Sequence, residues 1–206
     1  MPLSGMLQML NMQINCWFGG VGVGWMNYFA FLIIAVFISG LMVGRTPEFL
    51  GRKVEAREMK IATLVVLLHP FLILVGTGIS AAVAAANPEI GWLNNPSFHG
   101  LSEMLYEYTS SAANNGSGFE GLADNTSFWN ISTGIALIMG RYFPIVGQVA
   151  IAGLLASKKC IPESAGTLRT DTGTFSLMTF TVIIIVAALS FFPALALGPI
   201  ADYLTF

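Results

Sequence analysis

Two short runs carry residue types able to stand in for the water around a monovalent cation. One is FGGVGVG at 18–24 and the other is SSAANNGSGF at 110–119. A cation leaving water needs its hydration oxygens replaced, and successive main-chain carbonyls do this when they point to one side. Backbone that alternates in this way needs positive φ, which glycine adopts freely and asparagine tolerates better than most residues. Gly20, Val21 and Gly22 are therefore candidate ion-binding residues in the first run, and Asn114, Asn115 and Gly116 in the second. The competing readings are a glycine-rich helix-packing face for the first and an ordinary external turn for the second.

Charged residues near these runs are few. Arg141 is the one basic residue inside an apolar stretch, roughly 21 Å from either end at helical rise. An arginine at that depth costs about 2.5–3.5 kcal/mol on insertion scales, so something polar must face it. It reads either as a positive charge beneath the ion site, in a pore or gating role, or as a structural pair with helix carbonyls or an acid. Glu103 and Glu107, spaced i, i+4, would raise the local cation concentration at a pore mouth; a solvated acidic rim explains them equally well. His69-Pro70 reads as a helix kink, with no nucleophile or carboxylate placed to make the histidine catalytic. Cys16 and Cys160 stand far apart, outside any metal-ligand spacing, and read as apolar fillers.

The elements that must position these residues are set by composition. Only 10% of the 206 residues are charged against 55% hydrophobic, and soluble domains carry about 25% charge. Lipid is the natural solvent for such a chain, and a net charge of -2 argues against a nucleic-acid partner. Four apolar stretches, at about 26–43, 61–86, 128–156 and 175–197, are long enough to span a bilayer. Two further pieces, 3–17 and 98–113, read as helices too short or too polar to cross, the second after a turn-rich stretch at 94–96. Each precedes one of the two runs and then a span, the pattern of a half-helix that dips in and an extended strand that climbs out. Irregular backbone at that depth is tolerated only where it lines a cavity or is covered by protein.

Arg45, Arg52, Lys53, Arg57 and Lys60 cluster after the first span, and Lys158, Lys159 and Arg169 before the last. Residues 87–126 hold no Lys or Arg. The positive-inside rule then makes loops 45–60 and 157–172 cytoplasmic, with both runs and the C-terminus outside. No cleavable signal peptide is evident. A repeat is also visible. Gly44-Arg45 comes 22 residues after Gly22 and Gly140-Arg141 comes 24 after Gly116, each with a proline after it and a glycine seven residues on. On this reading residues 1–60 form a partial unit, 61–157 a complete span–short helix–strand–span unit, and 158–206 a loop and a final helix. The chain begins partway through a unit and reads as the later part of a longer protein.

The runs FGGVGVG at 18–24, GLMVGRTPEFLGRK at 40–53, EAREMK at 55–60, HGLSEMLYEYTSSAANNGSGFEGLADN at 99–125, GR at 140–141, AIAGLLASKK at 150–159 and FPALALGPIADYL at 192–204 carry a resemblance. Over nearly all its length the chain resembles the C-terminal part of the potassium-binding A subunit of the bacterial Kdp transport ATPase, in the superfamily of K+ transporters. Residues 1–14 match least. The resemblance implies an all-α integral membrane protein with four transmembrane helices, one or two re-entrant pore helices, and extended filter loops in span–pore–span repeats. It places filter strands of repeats three and four at Gly20–Gly22 and at Asn114, Asn115 and Gly116, and makes Arg141 the arginine just inside the fourth strand. It implies potassium as the bound ion, a multi-pass protein of the bacterial inner membrane, and a P-type ATPase catalytic subunit (B) with small C and F subunits as partners. ATP hydrolysis is expected in the partner, since this chain has no P-loop, D-K-T-G site or nucleotide fold. An ATPase-independent channel or secondary transporter of the same superfamily is the alternative, and a membrane-embedded enzyme a remote one.

Overall fold

A computed structural model describes residues 2–95, 97–162 and 167–205. Pro96, expected in the turn before the second short helix, and residues 163–166 of the second basic loop lie outside that set. Among the described residues six α-helices run in order: α1 (Pro2–Trp17), α2 (Gly24–Val43), α3 (Ala56–Ala86), α4 (Gly100–Ala112), α5 (Ser127–Ala156) and α6 (Gly173–Tyr203). The only sheet among the described residues is a two-stranded hairpin of β1 (Glu48–Phe49) and β2 (Arg52–Lys53). Helices α2, α3, α5 and α6 are long and apolar enough to cross a membrane, which matches the four predicted spans.

Local sequence sets where the helices start. Thr126 and Thr172 cap α5 and α6 by accepting the Trp129 and Phe175 amides at 3.4 and 3.2 Å. Glu55 and Glu58 form a capping box at the start of α3. Pro70, Pro144, Pro193 and Pro199 stand inside helices, where packed neighbours compensate for the missing amide. Large apolar side chains such as Leu64, Phe71, Ile131 and Leu189 stay exposed on the outside of the bundle, as lipid-facing positions must.

Two apolar cores stack along the bundle. One gathers α1, α3, α4 and the start of α5 around Trp92, Leu105, Tyr108 and Trp129; the other gathers α2, α3, α5 and the hairpin around Val36, Val54, Ala62 and Leu155. Beyond the second core the two basic loops meet. The Lys158 ammonium bonds Glu58 at 2.9 Å, Glu55 at 3.1 Å and the Lys53 carbonyl at 2.9 Å. Arg52 donates to the Leu155 carbonyl, and the Ile161 amide to the Gly51 carbonyl. Burial pulls the Lys158 pKa down, but its bonds to the two glutamates outweigh burial and hold it above the ordinary lysine value. Cys16 is buried as expected, whereas Cys160 is exposed beside this cluster and fills no core.

The two short helices differ in setting. Helix α4 is wedged between α3 and α5. Helix α1 buries the face of Met9, Met12, Gln13 and Cys16, packs mainly on α4, and does not lie alongside α2. Only six residues part α1 from α2, and the chain there is turns rather than extended strand. The first short helix thus passes into the first span through a short run of turns, without the extended strand expected between them. The expected equivalence of the two G-R pairs also fails. Gly44 ends α2 in the left-handed conformation, with Arg45 reaching the Thr167 carbonyl, whereas Gly140 and Arg141 lie in the interior of α5.

Candidate functional site

The two glycine- and asparagine-rich runs begin with the same device. The Gly19 amide bonds the Cys16 carbonyl and the Gly20 amide the Asn15 carbonyl, at 2.8 and 3.1 Å. The Asn114 and Asn115 amides bond the Ser111 and Ser110 carbonyls, both at 2.9 Å. Each is a Schellman cap with a left-handed residue closing the helix, Gly19 at φ 78° and Asn114 at φ 55°. The shared cap aligns Gly19 with Asn114, one residue earlier than the sequence pairing. Positive φ recurs at Gly20 and Gly22 in the first run and at Gly116 in the second.

Beyond the caps the two runs diverge. After α1 the Gly24 amide returns to the Gly20 carbonyl at 2.9 Å, and Arg141 Nη1 donates to the Val21 carbonyl. Two of the three carbonyls expected to face an ion at Gly20, Val21 and Gly22 are therefore already engaged. After α4 the chain runs irregularly to Thr126. Among the described residues, the carbonyls of Asn114, Asn115 and Gly116 accept no hydrogen bond. The C-terminal carbonyls of α4 point toward this loop, a polarity that favours a cation there.

The depth of the loop is fixed by α5. Gly140 passes so close to α4 that a Cβ on it would stand 2.5 Å from the Ala112 carbonyl oxygen. Asn114 Nδ2 bonds the Leu137 carbonyl at 3.2 Å and that of Ala112 at 3.3 Å. Gly140 is thirteen residues past Ser127, about 20 Å along the helix axis, so α4 ends near the middle of the span. Tyr108 pins α4 higher up: its hydroxyl donates to Ser132 Oγ at 2.8 Å and accepts from Ser80 Oγ at 3.1 Å. A Cβ at Gly76 would collide with the Tyr108 ring. Ser117 holds the outgoing loop to α4 through the Tyr106 hydroxyl at 3.0 Å.

Arg141 joins the two runs, which lie far apart in sequence. Besides Val21, it donates from Nε to Asn114 Oδ1 at 3.4 Å. Nη1 would be 2.8 Å from a Cβ at Gly22, and Gly20 presses so closely on the Ala113 carbonyl that a Cβ there would overlap it. Arg141 thus has the polar surroundings that its depth demands.

The two glutamates part company. Glu103 is 4% exposed. Its carboxylate accepts from the Asn94 and Asn95 amides, both at 3.0 Å, and from Asn95 Nδ2 at 2.6 Å. It braces the loop ahead of α4, which corrects the expectation of an open mouth position. Glu107 is half-buried and accepts from Ser111 Oγ at 3.5 Å. Its Oε2 would be 2.8 Å from a Cβ at Gly118, with Asp124 Oδ2 at 3.9 Å from the same point. Burial and then the Asp124 charge push its carboxyl up to about 7.

Several residues of the site give no sequence signal. Gly19 stands in the sequence only as part of a glycine run, yet it is the residue that closes α1. Asn27, one turn into α2, donates to the Phe18 carbonyl at 3.1 Å. Only a tally of polar residues inside spans would have marked it, along with Ser80 and Ser132.

Comparison with known proteins covers the whole arrangement. Residues 1–204 match the family described as "KdpA: Potassium-transporting ATPase A subunit". The "Potassium-transporting ATPase potassium-binding subunit" of Phocaeicola vulgatus is 76% identical over 210 residues, which cover 100% of this chain and 37% of that protein. The protein of the same name from Bacteroides thetaiotaomicron is 73% identical, with 100% and 37% covered. That from Geobacillus kaustophilus is 53% identical over 204 residues, with 99% and 36% covered. The chain thus spans about 37% of the length of the nearer of these relatives.

Proposed function

The chain belongs to the potassium-transporting ATPase A-subunit family, and on that premise we propose that it selects and passes potassium for an ATP-driven uptake complex. The observation that carries this reading is the loop at Asn114–Gly116. It has two left-handed residues, three carbonyls without partners among the described residues, a helix C-terminus aimed at it and a position near mid-span. On this reading α4 is a re-entrant pore helix, and these carbonyls replace the water of a dehydrated K+.

Gly20, Val21 and Gly22 take a different part from the expected one. They form the helix break that seats the arginine against the loop, with Gly22 the one member whose carbonyl remains available to the ion path. Arg141 supplies a fixed positive charge beside the loop, which limits how far the cation advances without further driving force. Asp124 gives the mouth its negative potential, with the raised Glu107 carboxyl only partly ionised beside it, and Glu103 holds the pore helix to its leading loop.

Orientation rests on the joined basic loops. Residues 45–60 and 157–172 face the cytoplasm, with the Asn114–Gly116 loop and the C-terminus opening outside the inner membrane. ATP hydrolysis lies in a P-type ATPase partner, and small C and F subunits complete the complex. The test is a chimaera in which these 206 residues replace the matching part of the Phocaeicola vulgatus protein. Gly116→Asp should abolish discrimination of K+ from Na+ and raise the K+ requirement for growth at least tenfold. A Gly116→Asp chimaera with parental K+-dependent growth and selectivity refutes the assignment, as does failure of a P-type ATPase chain to co-purify with the parent.

A further inference from the structure

We propose that His69, acting with Asn27, is a positioning residue for the ion-contacting loop: its imidazole locks the helix break between α1 and α2 to the end of α4. The inference rests on the filter reading above and concerns a residue that reading leaves without a role.

The geometry converges on Gly19. A Cβ there would lie 2.5 Å from Asn27 Nδ2, 3.0 Å from His69 Cε1 and 3.1 Å from His69 Nε2. Both side chains are 3% exposed. The His69 ring also lies close to the main chain at Ala112 and Gly140. Those residues belong to the point where α4 ends against α5, next to the Asn114 cap. One ring thus touches the closing residue of α1, the last turn of α4 and the close crossing of α5, while Asn27 holds the Phe18 carbonyl just ahead of the break.

A purely apolar filler would suit a membrane interior better, because burying an unpaired polar group costs free energy. Here His69 Nε2 and Asn27 Oδ1 are both buried without a hydrogen-bond partner among the described residues. Two such atoms flanking one glycine, behind a loop rich in main-chain dipoles, mark a site where polarity is kept at some cost to stability. Its use is to fix the orientation of the break and of the α4 terminus relative to each other, and through them the carbonyls at Asn114–Gly116. The cavity beside His69 is only about 10 Å³, so the ring has little room to swing away.

The experiment uses the same chimaera, with K+ uptake measured in vesicles over a range of K+ and Rb+. His69→Leu keeps the bulk and removes the polarity. It should raise the apparent KM for K+ about tenfold and narrow K+ over Rb+ discrimination, with Vmax within twofold of the parent. His69→Gln, which restores a donor, should bring KM back to within threefold. Asn27→Leu should act in the same direction, and the double variant should be no worse than the poorer single one. If His69→Leu does not reach the membrane, Asn27→Leu and His69→Gln carry the test. Parental KM and discrimination in the leucine variants overturn the proposal, as do equal losses of Vmax in the Leu and Gln variants. If Gly116→Asp changes selectivity and His69→Leu does not, the filter reading stands and this inference alone falls. If neither changes it, both fall.

Discussion

Arg141→Gln separates charge from shape at the centre of the site. An arginine at mid-span costs about 2.5–3.5 kcal/mol to insert, so its removal relieves that much. Against this stand the bonds to the Val21 carbonyl and to Asn114 Oδ1, the second long at 3.4 Å. Bonds to a charged donor contribute about 1.5–3 kcal/mol each, so the pair amounts to about 2–5 kcal/mol. The two effects nearly cancel, and stability should change by less than about 2 kcal/mol. For a chain of this size that is a Tm shift below about 8 °C.

The ion feels the change far more. Two unit charges about 6 Å apart at an effective dielectric near 20 repel by about 3 kcal/mol, about a hundredfold in occupancy. The assay is cation-stimulated ATP hydrolysis by the assembled complex carrying the chimaera. Arg141→Gln should respond at K+ concentrations about 10–100-fold lower and lose discrimination against Na+. Arg141→Lys keeps a charge but lacks the planar fork that reaches Val21 and Asn114 together; its cation dependence should stay near the parent's while its Tm falls. A glutamine variant with parental cation dependence would refute the reasoning. So would a Tm loss well beyond about 8 °C with no functional change, which would make the arginine purely structural.

Two further predictions concern charge elsewhere in the fold. Glu58 is fully buried and paired with Lys158, so Lys158→Met should destabilise the folded chain by about 3–5 kcal/mol; adding Glu58→Gln should recover much of this in thermal melts in detergent. The raised Glu107 pKa gives a pH dependence of definite sign. From its ordinary value of 4.5 to about 7 the folded state resists the charge that the unfolded state accepts, so stability should fall as pH rises through that window. Below it both states are protonated and the penalty vanishes. Melting curves at about pH 5 and pH 8 should show a smaller difference in Glu107→Gln than in the parent, and an unchanged difference would exclude Glu107 as the source.

Legibility in the sequence divides along a physical line. The four spans were legible because a stretch of about 20 apolar residues has few other uses, and their predicted limits lie within the observed helices. At the second run the sequence offered permissive backbone with a helix before it and a span after it, and the structure has positive φ at Asn114 and Gly116 between α4 and α5. The first run has the same composition, but the chain there forms turns between α1 and α2. Glycines in a tight break and glycines in a longer loop have the same composition, and the length of chain between the flanking helices tells them apart: six residues between α1 and α2, fourteen between α4 and α5. The G-R repeat misled because an arginine comes after a glycine in both places, while the depth of each pair is fixed by where its helix starts. Helix α5 begins at Ser127 and carries Gly140 to mid-span; α2 begins at Gly24, already at that depth, and delivers Gly44 to the far end. Asn27 and Tyr108 were silent, and His69 read only as part of a kink, because each is defined by neighbours on another helix. A lone polar residue in an apolar run announces a need for such a partner without naming it. Polar residues inside these spans are therefore the better guide to function, since lipid leaves them no inexpensive alternative to a specific contact.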